Sequence, residues 1–114
     1  MSEHKETSTL IELDDYSFDK EIIHSGAVAL VDFWAPWCGP CKILGPVIAE
    51  IAQEMHTRVR IAKVNVDENP IIAGRYRVMS IPTLLIFKDG KIVDQLIGAQ
   101  PKEDIIRHLE AALK

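Results

Sequence analysis

Apolar residues along the chain fall into short runs and helical repeats separated by turn-forming residues. Val28-Ala-Leu-Val-Asp-Phe-Trp34 is apolar almost throughout, the pattern of a central strand covered on both faces. Leu44, Ile48, Ile51 and Met55 then recur at spacings of four, three and four, which predicts one buried face of a helix from about Pro40 to Met55. Val59–Val66 reads as another strand. Asn69-Pro70 places a capping residue before a proline at the first helical position, opening a short helix through Tyr76. Thr83–Phe87 and Lys91–Ile97 read as strands joined by Asp89-Gly90, a two-residue turn that favours a tight hairpin. A last helix is predicted from Pro101 to about Leu113, burying Ile105, Leu109 and Ala112. Upstream, a short strand is expected at Thr9–Leu13, and Ser17 is expected to cap a helix that Gly26 closes.

Strand, helix, strand in succession implies parallel pairing through a right-handed crossover, and the hairpin adds antiparallel strands. The expected fold class is therefore α/β, with a mixed central sheet of about five strands flanked by helices on both faces. With 114 residues the chain has the length of one domain, expected over residues 8–114 behind a flexible polar tail at 1–7. Composition narrows the classes further. Hydrophobic residues make up 47% and charged residues 26%, an ordinary globular mixture. A net charge of -4 gives no electrostatic footprint for nucleic acid. No apolar run approaches the ~18 residues of a membrane span. The polar segment Met1–Thr9 has no apolar stretch of the secretory kind, so the expected location is the cytoplasm.

The two cysteines stand three apart, in Trp37-Cys38-Gly39-Pro40-Cys41-Lys42, where the central strand hands over to the long helix. Backbone N–H groups and the helix dipole at that end stabilise an anion, and the thiolate is the nucleophile of thiol chemistry. Cys41 lies one turn further along the same side, with its α-carbon roughly 5 Å from that of Cys38, a span a disulfide bridges. Pro40 fixes the entry geometry of the first turn. Gly39 has no side chain, so another polypeptide can approach the Cys38 sulfur. Neither residue adds a positive charge, which points to a pair that donates electrons rather than an oxidant. Other uses of the pair fit less well. A zinc site needs about four ligands, and there is no second cysteine pair, while His24 and His56 are scattered. A structural disulfide closing so small a loop would constrain little. No metal is therefore expected.

Asp32 is the single acid in the central strand. Burial makes a carboxylate expensive to ionise and raises its pKa. Such a group can serve either as a proton donor and acceptor for Cys41 or as a hydrogen-bonded structural residue. Lys63 interrupts the next strand, either to pair with Asp32 or to reach for solvent.

The segment Val31-Asp-Phe-Trp-Ala-Pro-Trp-Cys-Gly-Pro-Cys-Lys42 resembles the active-site segment of the thioredoxin family. Further matches are Ala62-Lys-Val-Asn-Val-Asp-Glu-Asn-Pro70, Ser80-Ile-Pro-Thr83, Phe87-Lys-Asp-Gly90 and Ile97-Gly-Ala99. The resemblance spans about residues 8 to 113 in one register. It implies the thioredoxin fold and protein-disulfide reduction, with Cys38 as nucleophile and Cys41 as resolving thiol. It also implies Asp32 as general acid/base tuned by Lys63, and Pro82 in the cis form. Trp37, Gly39, Pro40, Ile81, Pro82, Gly98 and Ala99 would form the docking surface, with Trp34 packed around the site. Implied partners are disulfide-containing client proteins and an NADPH-dependent flavoprotein thioredoxin reductase, with no cofactor bound by the chain itself; the chain is expected to be a monomer. Two other functions share the fold: a binding subunit that uses the docking surface without redox chemistry, and an oxidant or isomerase. Gly45 just before the helix proline Pro46 is less usual in the family, and Met79 before Ser80 stands at a variable position bordering the docking surface.

Overall fold

In the computed structural model, which describes residues 9–114, a five-stranded sheet carries two helices on each face. The expected tail at 1–7 lies outside the described residues. The elements in chain order are β1 (Ile11–Leu13), α1 (Asp19–Ile23), β2 (Ala29–Trp34), α2 (Gly39–Met55), β3 (Arg60–Asn65), α3 (Pro70–Arg75), β4 (Thr83–Lys88), β5 (Lys91–Ile97) and α4 (Lys102–Leu113). Strand order is β1-β3-β2-β4-β5. β3 runs parallel to both β1 and β2, while β4 is antiparallel to β2 and to β5. The mixed α/β sheet expected from the sequence is thus the observed one.

Two apolar layers sandwich the sheet. On one side Leu30, Ile61, Leu84 and Ile86 meet Leu44, Ile48 and Ile51 of α2 and Ile105 and Leu109 of α4. On the other side Val31, Phe33, Val64, Leu85 and Phe87 meet Phe18, Ile22 and Ile72, from the segments around α1 and α3. This double cover explains why β2 and β4 read as nearly continuous apolar runs. The β4–β5 turn fits its sequence: Asp89 and Gly90 both have positive φ, 53° and 79°, as the tight hairpin turn requires.

The first helix departs from expectation. It is a single wide turn in which the His24 N–H donates to the Asp19 carbonyl at 2.8 Å, with Phe18 preceding it. Ser17 does not cap it. Its hydroxyl instead accepts from the Asp14 N–H, while the Asp14 carboxylate accepts from the Tyr16 and Ser17 N–H groups. The upstream acid therefore organises this turn, because a carboxylate is the stronger acceptor. Asn69 likewise makes no side-chain cap to α3. Its side chain accepts from the Asp15 N–H and donates to the Asn65 carbonyl. The α3 cap comes from Asp15, whose carboxylate accepts from Ile72 N–H at 2.9 Å and Ile71 N–H at 3.4 Å.

Candidate functional site

β2 delivers the chain to one end of the sheet, and Ala35-Pro36-Trp37 carry it to the start of α2. Cys38 is the residue that caps this helix, with extended backbone at φ -89° and ψ 112°. Its Sγ accepts a hydrogen bond from the Cys41 N–H at 3.2 Å. Sulfur thus holds the position that a serine or aspartate oxygen usually takes at a helix start. Negative charge on that sulfur is favoured twice, by the N–H and by the helix dipole.

Cys38 and Cys41 are joined as a disulfide across a Cα–Cα separation of 5.2 Å. Both are 4% exposed and cluster with Ala35, Trp34, Val66 and Ile81. A Cβ added at Gly39 would meet nothing within 4 Å, so the backbone beside Cys38 is open to an incoming chain. Pro40, also exposed, forms the first turn of α2. Among the described residues no group of three or more histidine, cysteine or acidic side chains is placed to hold a metal ion.

The segment before β4 borders the cysteines. The Ile81–Pro82 bond is cis, and the Ile81 carbonyl oxygen lies 3.8 Å from Cys38 Sγ. Gly98, at φ +88°, donates its N–H to the Pro82 carbonyl at 2.8 Å and fixes the loop after β5 beside this segment. Ala99 follows it on the exposed side. Trp37 is 68% exposed, yet its ring is oriented by a 2.8 Å hydrogen bond from Nε1–H to Asp67. Asp67 was not legible as a site residue, since thirty positions separate it from Trp37. Met79 is 92% exposed. It lines a shallow cleft of about 150 Å³ with Ser80, Thr83 and Ile97.

Asp32 is 3% exposed, and its Oδ1 has no hydrogen-bond partner. Burial pushes its carboxyl up to about 7, against a smaller downward pull from the Lys63 charge. Lys63 is the registered neighbour of Asp32 across β2 and β3, as the sequence suggested, but the ion pair goes elsewhere. Its ammonium lies 4.0 Å from Glu12 and 5.1 Å from the centre of the Trp34 ring. A third-exposed lysine gains more from a half-hydrated partner than from a desolvated one. Trp34 is partly buried against the cysteine cluster, with its Nε1 unpartnered.

Comparison with known proteins agrees with this geometry. The family model described as Thioredoxin matches residues 9–111. Thioredoxin 2 of Chlorobaculum tepidum is 57% identical over 99 residues, covering 87% of this chain and 91% of that one. Thioredoxin of Chlorobaculum thiosulfatiphilum is 54% identical with coverage of 87% and 92%. Thioredoxin 1 of a Nostoc species is 47% identical over 106 residues, covering 93% and 99%. A cysteine pair that closes at a helix start, on a sheet of this order, is thus matched nearly end to end in sequence, and the chain belongs to the thioredoxin family of thiol–disulfide oxidoreductases.

Proposed function

We propose that this chain is a general protein-disulfide reductase and electron carrier of the cytoplasm, acting as a monomer on disulfide-containing client proteins. The observation that carries this reading is the Cys38–Cys41 pair, set within bonding reach at the α2 N-terminus beside an open backbone at Gly39.

In the forward direction the Cys38 thiolate attacks one sulfur of a client disulfide. A Cys38–client bond forms, and the first client sulfur leaves as a thiolate that takes up a proton. Asp32 accepts the proton of Cys41, directly or through water. The Cys41 thiolate then attacks Cys38 Sγ, and the second client thiolate departs. Two electrons have passed to the client, and the Cys38–Cys41 disulfide remains. An NADPH-dependent flavoprotein reductase returns the two electrons by the reverse exchange. A carboxyl poised near 7 suits this transfer, because it binds and releases a proton at working pH. Trp37, Gly39, Pro40, Ile81, Pro82, Gly98 and Ala99 form the docking surface. An extended client segment hydrogen-bonds the Ile81 backbone in the manner of an added strand.

The test is reduction of a disulfide-linked protein such as insulin, driven by dithiothreitol. Cys38→Ser should abolish catalysis. Cys41→Ser should accumulate a mixed disulfide between Cys38 and the client, visible as a mass adduct. No acceleration of insulin reduction by the wild-type chain, with all cellular activity kept in Cys38→Ser, would overturn the reading in favour of a binding subunit without redox chemistry.

A further inference from the structure

A row of charge crosses half the sheet on the face covered by α2. Glu12 on β1 is registered with Lys63 on β3, and Lys63 with Asp32 on β2. Registered neighbours project to the same side of a sheet, so the three side chains stand abreast with the ammonium in the middle. The row continues as Leu84 on β4 and Leu96 on β5. The buried face of α2 adds Cys41, Leu44 and Ile48, and that of α4 adds Ile105 and Leu109, none of which carries charge beside a closed disulfide. Lys42 on α2 is exposed. Further along this face Asp94 on β5 is engaged with His108 on α4 at 2.6 Å, and Lys102 on α4 with Glu50 and Glu54 on α2. The field at Asp32 is therefore set by Lys63, and the position of Lys63 by what holds its ammonium.

Two groups hold it. The Trp34 ring lies beneath it at 5.1 Å, and the Glu12 carboxylate stands at 4.0 Å on the β1 side. Glu12 offers the only ion pair that Lys63 makes among the described residues. A carboxylate on the edge strand, 69% exposed, draws the ammonium outward from the buried acid.

We propose that Glu12 is a positioning residue of the redox centre: it holds the Lys63 ammonium toward β1, away from Asp32, and so keeps the Asp32 carboxylate basic enough to take the proton of Cys41. This rests on the reading of Asp32 as the proton acceptor of Cys41. It assigns a role to a residue on β1, an edge strand of the sheet. The Trp34 ring gives Lys63 a second anchor, so removing Glu12 shifts the ammonium rather than freeing it altogether.

The experiment is titration of Asp32 by carboxyl-carbon NMR in the oxidised full chain, for wild type, Glu12→Gln, Lys63→Gln and the double variant. Glu12→Gln should lower the Asp32 pKa by about half a unit, the size expected when one partly screened ammonium moves about 2 Å closer to the carboxylate. In the Lys63→Gln background the same change should produce less than half of that shift. Glu12→Asp should restore most of the wild-type value, and Glu103→Gln, on the exposed first turn of α4, should leave it unmoved. An unchanged Asp32 titration in Glu12→Gln overturns the proposal. So does an equal shift in both backgrounds, because Glu12 would then act by its own charge and not through Lys63. The pH profile of mixed-disulfide resolution is measured on the same variants. A shifted Asp32 titration with an unshifted profile supports the Glu12–Lys63 coupling while refuting Asp32 as proton acceptor, which separates the two failures.

Discussion

Replacing Asp32 by asparagine should make the oxidised protein more stable, and by an amount that depends on pH. The wild-type carboxyl is pushed up to about 7 by burial, from 3.8 in an ordinary environment. Because the folded pKa lies above the unfolded one, the folded state binds more protons between these values, and stability falls as pH rises through the window. Below pH ~4 the acid is protonated in both states and costs nothing by this route. Above 7 it is ionised in both, and the folded state carries the whole penalty. A gap of about three units corresponds to about 4 kcal/mol. Asparagine is nearly isosteric with the neutral acid and cannot ionise, so the variant escapes the penalty while keeping the same shape in the core.

The assay is urea unfolding of both proteins with the Cys38–Cys41 disulfide intact, at intervals from pH 4 to pH 9. Other carboxylates titrate in this range, but they do so equally in both proteins, so the difference isolates position 32. That difference should start near zero at pH 4, rise between about 4 and 7, and level off above 7 at about 4 kcal/mol in favour of Asp32→Asn. Parallel stability profiles at every pH would refute the reasoning, since they would mean that Asp32 ionises in the folded state no less readily than in the unfolded chain. The same substitution should slow resolution of mixed disulfides at neutral pH, so stability and activity move in opposite directions.

Two further outcomes follow from the helices. Gly45 lies inside α2 one residue before Pro46, and a Cβ there would meet nothing within 4 Å. Gly45→Ala should therefore raise stability by about 1 kcal/mol, read as a higher urea midpoint at unchanged slope. Asp15→Ala removes the acceptor of the Ile71 and Ile72 N–H groups. It should lower stability by about 1 kcal/mol and speed amide exchange at these two positions, whereas slow exchange in the variant would show that α3 does not depend on this cap.

What the sequence made legible, and what it did not, divides by the range of the interactions. The α2 face, the Asp89-Gly90 turn and the placement of Cys38 at a helix start are properties of adjacent residues, so composition and spacing suffice to find them. The caps of the shorter helices are not local. Asp15 reaches α3 from 56 and 57 positions away, and Asn69, a capping residue by type, is used instead to hold the Asp15 backbone. Propensity ranks what a side chain can do and cannot say which of two competing backbone groups it will serve. At the site the same limit appears in a sharper form. Cys38, Cys41 and Asp32 announce themselves by residue type in context, an unusual pair and a lone acid in an apolar strand. Asp67 and Glu12 are ordinary surface acids in the sequence, and they acquire meaning only when sheet register sets Glu12 abreast of Lys63 and the β3–α3 loop sets Asp67 under the Trp37 indole.

The position of Lys63 shows why this second tier matters for chemistry. Strand register fixes its α-carbon beside that of Asp32, yet a lysine side chain spans several ångströms and its charge settles where desolvation is least costly. Adjacency in the sheet therefore sets the range of possible coupling between ammonium and carboxylate, while the exposed groups at the sheet edge select a value within it. A thiol–disulfide centre built this way keeps its reacting atoms on the central strand and the first turn of α2. Its proton affinity remains adjustable from a surface position whose substitution disturbs no core packing.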